Sequence, residues 1–391
     1  MEKAIYLKKG RENRVLTNGG HLWVFSNEIE SASDDITSGD IAEIRTHNNS
    51  LIGIGFINPK SLIAARIIAR DDANVTPRFW QSKIERALSS RQRNYPHEKC
   101  YRAIFGESDG IPGLIVDKYD NYLVLEVVSK GAELEISNIK EALINVFSPK
   151  GILLRRDNRL RELEGMEMGP PEEIHGNVPN DPQRFEIDHL VHLTDLWKGH
   201  KTGFYFDQRD NRDYLKQWAK DKTVLDVYSY TGTFAQTLLK AGATHAVCVE
   251  SGKTWANLGK LSAKANNLTS IHYLEADAQE YLKNEKQKFS IVIADPPNLS
   301  PTRKDKSKAI RKLTKVLTLA CSRLEKGGLL AASTCSFHIS LEDFRSALKD
   351  AAQASQRSMR VISERRQAQD HPVLLSMPET AYLKFTLLEA I

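Results

Sequence analysis

From about residue 200 onward, short apolar runs rich in β-branched residues alternate with stretches of roughly ten to twenty residues at helical spacing. The runs are Thr223–Val227, His245–Val249, Ile271–Glu275, Phe289–Ala294 and Gly328–Ser333. This rhythm predicts an α/β domain whose mostly parallel sheet is covered by helices on both faces, because parallel neighbours need a crossover connection. A last apolar run, Ala381–Leu388, is expected to add an antiparallel edge. In such sheets ligands bind beyond the carboxyl ends of the strands, so the loops at those ends are where chemistry is to be sought.

The first of these loops, Asp226-Val-Tyr-Ser-Tyr-Thr-Gly232, holds one glycine where a dinucleotide fold shows Gly-x-Gly-x-x-Gly. A pyrophosphate ligand is therefore disfavoured, since the backbone has no glycines with which to close around two phosphates. Carboxylates follow instead. Glu250 ends the second run and suits a pair of ribose hydroxyls; Asp277 follows the third and suits an adenine amino group; Asp295 follows the fourth, within Asp295-Pro-Pro-Asn298. Singly, each reads as an ordinary loop anion. Together they outline a site for a nucleoside that carries positive charge.

The chain before this domain has a different texture. Up to about residue 75, short β segments (His21–Phe25, Asp40–Arg45, Leu51–Phe56, Leu62–Ile68) are separated by turn residues, which predicts a small barrel-like sheet. Pro77 opens an amphipathic helix pattern over 78–95, strand patterns return over 102–128, and a helix pattern covers 133–147. Residues 165–182, with Gly169-Pro170-Pro171, read as an irregular connection or hairpin loop, and Phe185–Leu193 as one strand. The expected division is a domain over 1–75, an α+β middle domain over 76–195 and the α/β domain over 196–391. With 41% hydrophobic and 27% charged residues the chain has the composition of a globular enzyme, not of a disordered or collagen-like one.

The carboxylate pattern resembles the class I S-adenosylmethionine-dependent methyltransferases. Longer strings narrow the resemblance: Lys201-Thr-Gly-Phe-Tyr-Phe-Asp-Gln-Arg-Asp-Asn-Arg212, the Tyr-Ser-Tyr-Thr-Gly loop, Asp-Pro-Pro, Ser333-Thr-Cys-Ser336, Gly106–Asp117 and Asp370-His-Pro-Val373 are similar to the bacterial large-subunit ribosomal RNA cytosine-C5 methyltransferases, the RlmI-like family. The resemblance implies a PUA-type RNA-binding barrel at the amino terminus, a Rossmann-like seven-stranded methyltransferase sheet at the carboxyl terminus, S-adenosyl-L-methionine as cofactor and ribosomal RNA as substrate, with a homodimer as a possibility. It also implies cofactor contacts from Phe206, Gln208, Arg209, Asp226, Tyr228, Ser229, Gly232, Glu250, Ser251, Asp277, Ala278 and Asp295, with Gln208 and Arg209 at the methionine end.

Carbon 5 of cytosine is a weak nucleophile, and a thiolate adding to carbon 6 makes it reactive. Cys335 follows the fifth run, where substrate would lie, and is the expected catalytic residue with Asp295 as partner at the cytosine amino group and N3. The place of a second cysteine just after Asp-Pro-Pro is taken by Asn298. His338 reads as structural, and Cys100, Cys248 and Cys321, in apolar or helical settings, as buried small hydrophobes. No Cys-x-x-Cys pair or other metal-ligand spacing is present, so no metal and no disulfide framework are expected.

The net charge of +5 is modest, but seven cations and one anion fall between Leu299 and Lys315. A charge run of this kind is usually a solvated helix face. Its position after Asp-Pro-Pro makes Arg303, Lys304, Lys306, Lys308 and Arg311 candidates for RNA phosphates, and Arg155, Arg156, Arg159 and Arg161 a weaker extension. No apolar run reaches the length of a membrane helix, and no signal peptide is read, so a cytoplasmic protein is expected. Three other readings compete: a base-nitrogen methyltransferase acting on guanine N7 or an exocyclic amine, a non-catalytic RNA-binding assembly factor, and a nicotinamide-dependent dehydrogenase. Asn298 and Cys335 argue against the first, the intact carboxylates against the second, and the missing glycines against the third.

Overall fold

The computed structural model describes residues 3–16, 19–300 and 302–391, except for the side chain of Arg303. That side chain, expected at RNA phosphate, therefore lies outside the described residues. Two units emerge: one holds 3–182 with 195–206 and 369–380, the other 183–194, 207–368 and 381–391.

In the first unit, strands Trp23–Phe25, Ile63–Ala69, Leu51–Ile57, Ile41–Arg45, Ala4–Leu7 and Ile29–Ala32 lie side by side in that order as one sheet. Ile5, Leu7, Val24, Ile44, Ile57 and Ala65 close its core with almost no exposure. A five-stranded sheet follows, ordered Glu172–Gly176, Gly151–Arg155, Tyr122–Val127, Leu114–Tyr119, Cys100–Phe105. Helices Pro77–Asn94 and Ile136–Phe147 cover it through Trp80, Ile84, Ile139 and Leu143. The irregular connection expected over 165–182 contains the edge strand Glu172–Gly176, antiparallel to Gly151–Arg155. None of that strand's side chains is buried, so it has no apolar alternation to announce it; backbone pairing alone makes it a strand.

The second unit is built on seven strands: β1 Thr223–Val227, β2 His245–Glu250, β3 Ile271–Glu275, β4 Phe289–Ala294, β5 Leu324–Thr334, β6 Met359–Arg365 and β7 Lys384–Ala390. Their order is β3-β2-β1-β4-β5-β7-β6, with β7 antiparallel to both β5 and β6. The expected parallel alternation is present. The antiparallel strand is not the edge, however: β7 is inserted between β5 and β6, which forms the edge. Most of β6 is solvent-facing or half-buried, and Ser363 marks a bulge, so its sequence carries no strand period.

Helices α1 Arg209–Leu215, α2 Thr233–Lys240, α3 Lys253–Ala265, α4 Ala278–Asn284, α5 Lys306–Ser322 and α6 Leu341–Ala354 complete the unit. Two apolar cores flank the sheet. One joins Val227, Val249, Ala294 and Ala332 to α5 and α6 through Leu313, Leu317, Phe344 and Ala347; the other joins Ile291, Ile293, Phe385 and Leu387 to α2 and α3 through Phe234, Leu238 and Ala263. Burial on both faces is why these strands read as continuous apolar runs.

The single strand expected over 185–193 is a hairpin, Gln183–Ile187 with Leu190–Thr194. Its two turn residues, Asp188 and His189, both adopt positive φ (52° and 63°), the signature of a two-residue hairpin turn, although neither is glycine. Asn266 and Ser262, at the end of α3 and just beyond, take the amides of Val191 and Leu193 at 2.8 Å each, so the hairpin's outer edge is satisfied. At the turn, Asp188 accepts from Arg209 and from Arg212 (2.8 Å), both buried residues of α1. Burial opposes the charge of Asp188, but the two guanidiniums outweigh it and hold the carboxyl far below the usual range. This clamp fixes the helix whose amino end presents Gln208. Asp188→Ala is expected to lower stability by about 3–5 kcal/mol, because two buried cations lose a shared anion. In the parent protein that contribution is present above the ordinary carboxyl pKa and fades as pH falls below it. Thermal unfolding against pH measures both effects, and a shift worth under about 1 kcal/mol would remove Asp188 from this role.

Candidate active site at the carboxyl end of the seven-stranded sheet

The loop leaving β1 is strained. Tyr228, Tyr230 and Gly232 all have positive φ (61°, 51° and 72°), and the left-handed region costs a non-glycine residue about 1–2 kcal/mol. Such a backbone persists only where its surroundings dictate it. Glu250, at the end of β2, accepts from the amides of Tyr230 (3.0 Å) and Gly252 (2.7 Å), and Ser229 donates its amide to Val249. Gly232 must be glycine for a packing reason as well: a Cβ there would sit 2.6 Å from the Tyr273 hydroxyl and 2.9 Å from the Cys248 sulfur.

Asp226, the residue before the end of β1, is buried, and its carboxylate accepts a long bond (3.3 Å) from the amide of Ala235. Burial, reinforced by Asp295 and Glu250, pushes this carboxyl up to about 8. No cation among the described residues pairs with it. Tyr228 is pushed up to about 12, by burial and by Asp277. Asp277 itself is exposed and caps α4 by accepting from the amide of Glu280 (2.9 Å), while Ala278 begins that helix and is buried. Ser251 is exposed and reaches the Glu250 carboxylate at 3.4 Å.

Asp295 follows β4 and is half-buried. One of its oxygens accepts from the Gln208 side-chain amide (3.1 Å) and the other from the Ser333 hydroxyl (2.9 Å), while Gln208 also donates to Ser333 (3.1 Å). Asn211 fixes the Gln208 carbonyl at 2.7 Å, and Arg365 of β6 fixes Asn211 in turn at 3.1 Å. A second tie lies four residues beyond β4. Asn298 accepts from the Ser336 hydroxyl (2.8 Å), and that hydroxyl accepts from the Leu299 amide (3.2 Å). Cys335 sits between Ser333 and Ser336, so both ends of its short segment are fastened to the Asp295–Leu299 loop. Its thiol is half-buried, whereas Cys100, Cys248 and Cys321 are buried, with burial raising Cys100 to about 12 and Cys321 to about 11.

The arrangement brings together Asp226, Tyr228, Ser229, Gly232, Glu250, Gln208, Asp295 and Cys335, at the ends of β1, β2, β4 and β5 and in α1's leading residue. Asp277, Ala278 and Ser251 stand at the adjoining ends of β3 and β2. Two other expected residues have structural partners of their own. Arg209 is committed to Asp188, and Phe206 belongs to the other unit, buried against Tyr119 and Phe204. Sequence reasoning missed Ser333, Ser336 and Asn211 as the ties of the site; Ser333-Thr-Cys-Ser336 was the available signal. Among the described residues, no group of three His, Cys, Asp or Glu side chains is placed to hold a metal, and no helix is long and apolar enough to cross a membrane. On α5, Lys308, Arg311, Lys312 and Lys315 are exposed, while Lys306 is paired with Asp343 at 2.7 Å.

This donor set fits a ligand that brings its own positive charge, because a buried carboxyl with no cation stays protonated until one arrives. In the ligand-free protein the native state keeps a proton on Asp226 that the unfolded chain gives up, so stability falls as pH rises from the ordinary carboxyl value to about 8. The loss is at most about 1.4 kcal/mol per pH unit. Asp226→Asn should remove that decline, as read from thermal midpoints of both proteins across the window; a difference that does not change with pH would contradict the raised carboxyl.

Residues 5–70 match the PUA-like domain family, and residues 206–360 match the FtsJ-like methyltransferase family. A candidate SAM-dependent methyltransferase from Streptococcus mutans superposes with TM-score 0.83 at 18% identity, covering 99% of both chains. A candidate methyltransferase complexed with SAH gives 0.85 at 17% identity, again over 99% of each. The fold is thus shared with these proteins over the whole length. In sequence, the chain is 32% identical over 393 residues to the Vibrio vulnificus (strain CMCP6) protein named ribosomal RNA large subunit methyltransferase I, spanning 98% of each. At that identity and coverage, the chain belongs to the ribosomal RNA large subunit methyltransferase I family.

Proposed function

We propose that the chain transfers a methyl group from S-adenosylmethionine to carbon 5 of a cytosine in large-subunit ribosomal RNA, with Cys335 as the nucleophile. The observation that carries this reading is that Cys335 is half-buried and lies between two serines, Ser333 bonded to Asp295 and Ser336 bonded to Asn298. The name of the sequence relatives supports ribosomal RNA as substrate, and the PUA-like match supports an RNA-binding role for the amino-terminal sheet. The three-part division at about residues 75 and 195, a homodimer and a cytoplasmic setting belong to the same reading.

When bound, S-adenosylmethionine supplies an electrophilic methyl group on a sulfonium. The chain's own residues do the rest. Asp226 and Asp295 offer carboxylates to the positive charge. Glu250 has acceptor capacity left for ribose hydroxyls after taking the Tyr230 and Gly252 amides, and Asp277 has an oxygen left for the adenine amino group after capping α4. Tyr228, Ser229, Gly232, Ser251 and Ala278 shape the surrounding loops. Gln208 orients Asp295, and Arg209 acts one step further back, as a positioning residue through Asp188.

A cytosine must leave its stack to reach the sulfur. The thiolate then forms a bond to carbon 6, and the displaced electron pair makes carbon 5 nucleophilic. Asp295 accepts from the cytosine amino group and so orients the ring. Carbon 5 takes the methyl group; its proton then leaves to water, the C–H electron pair re-forms the carbon 5–carbon 6 double bond as the sulfur–carbon 6 bond breaks, and the ring and thiolate are restored.

Cys335→Ala is expected to abolish methyl transfer to ribosomal RNA while leaving affinity for S-adenosylhomocysteine within a few-fold by calorimetry; a variant with normal turnover would refute the covalent route. Glu250→Ala should weaken that affinity at least about tenfold, or about 1.4 kcal/mol. Reversing the charge of Lys304, Lys308 and Arg311, which spares the Lys306–Asp343 pair, should lower the salt slope of RNA binding by about 2 if each meets one phosphate. An unchanged slope would return this run to an ordinary solvated face.

A further inference from the structure

We propose that Lys384 activates Cys335, its ammonium holding the sulfur as a thiolate at neutral pH. This rests on the reading of Cys335 as nucleophile. Lys384 opens β7 directly opposite Thr334 of β5, so its Cα is paired with the residue just before the cysteine. Its ammonium donates to the carbonyl of Ser336, the residue just after the cysteine, and to the carbonyl of Tyr382, both at 3.0 Å. The ammonium is therefore anchored by main chain one residue past Cys335 and by the main chain just ahead of β7. A flexible lysine would only visit this segment; this one is anchored to the residue that follows the cysteine.

The charges that act on Lys384 oppose one another. Burial pulls Lys384 down to about 8, and Arg366 acts in the same direction, while a thiolate at Cys335 and the carboxylate of Asp343 keep the proton on. Asp343 is itself shared with Lys306, which limits how far it neutralises Lys384. An ammonium with two carbonyl acceptors retains one N–H, which is free to meet the sulfur. A cation adjacent to a thiol lowers its pKa, and the thiolate is the species that adds to carbon 6. The proton lost by the thiol goes to water; no bond to Lys384 forms or breaks, and the lysine keeps its charge through the cycle. Since the two groups interact, they titrate as a pair.

The test uses the full chain without RNA, so that it is independent of turnover. Alkylation of Cys335 by iodoacetamide, quantified by peptide mass spectrometry across neutral and alkaline pH, gives a midpoint for the sulfur; the three buried cysteines react slowly and serve as an internal reference. The wild-type midpoint should lie at least one unit below the ordinary thiol value of about 8.5. Lys384→Met should raise it to that value or above and slow alkylation at pH 7 about tenfold, and Lys384→Arg should preserve the low midpoint. A wild-type midpoint at or above about 8.5 overturns the proposal without any variant, and so does an unmoved midpoint in a folded Lys384→Met protein. Should the methionine variant fail to fold, Lys384→Gln and the wild-type value decide. Failure of the nucleophile reading looks different: Cys335→Ala would still methylate RNA, whatever the alkylation midpoint.

Discussion

The chemistry available at this sheet depends on how the loop after β4 is fastened to the segment after β5. Parallel strands deliver their loops to one end, but a loop of prolines and a short cysteine segment would not by themselves keep a sulfur in register with a carboxylate. Two serine hydroxyls do this, Ser333 on Asp295 and Ser336 on Asn298, and they bracket Cys335. Each is buried, so each bond is made in a medium where water does not compete for it. Gln208, Asn211 and Arg365 extend the same network to α1 and β6, so the geometry of one carboxylate is set by groups from three elements.

Electrostatics divides the unit into two regions. The strand ends gather Asp226, Glu250, Asp277 and Asp295; burial first, and then the charges of Asp295 and Glu250, raise the carboxyl of Asp226. The loop after β4 then leads within about a dozen residues to the exposed cations of α5. An acidic crevice suits a cationic small molecule, and a basic helix suits a polyanion. At physiological ionic strength such charges are screened beyond about 8 Å, so one short segment can serve both without cancelling itself.

Much of this was legible in the chain. The β1, β2, β4 and β5 runs are apolar on both faces and fell almost where they were read, and Glu250, Asp277, Asp295 and Cys335 stand at or just beyond strand ends, where the sequence pointed. What escaped was structure held by side chains or backbone alone. The 183–194 hairpin hides its turn because Asp188 and His189 take a conformation usually marked by glycine or asparagine. Edge strands Glu172–Gly176 and β6 present few buried residues, so no period of two survives in them. Arg209 was read as facing a ligand, and nothing in its sequence neighbourhood signals that Asp188, 21 residues earlier, claims it.

The insertion of β7 between β5 and β6 carries the same lesson further. Had β7 formed the sheet edge in isolation, its first residue would point into solvent and its lysine would be an ordinary surface cation. Antiparallel pairing with β5 over Leu329–Thr334 places Lys384 at the β5 end where the cysteine emerges, and pairing with β6 on the other side removes the freedom to slide. Register in a sheet is fixed to one residue, since a single-step slip would move Phe385 and Leu387 to the opposite face of the sheet and Lys384 away from Ser336. The buried aromatic and aliphatic contacts that stabilise this strand therefore also set the position of one charge relative to one sulfur, and packing becomes the means by which an exact electrostatic relation is maintained.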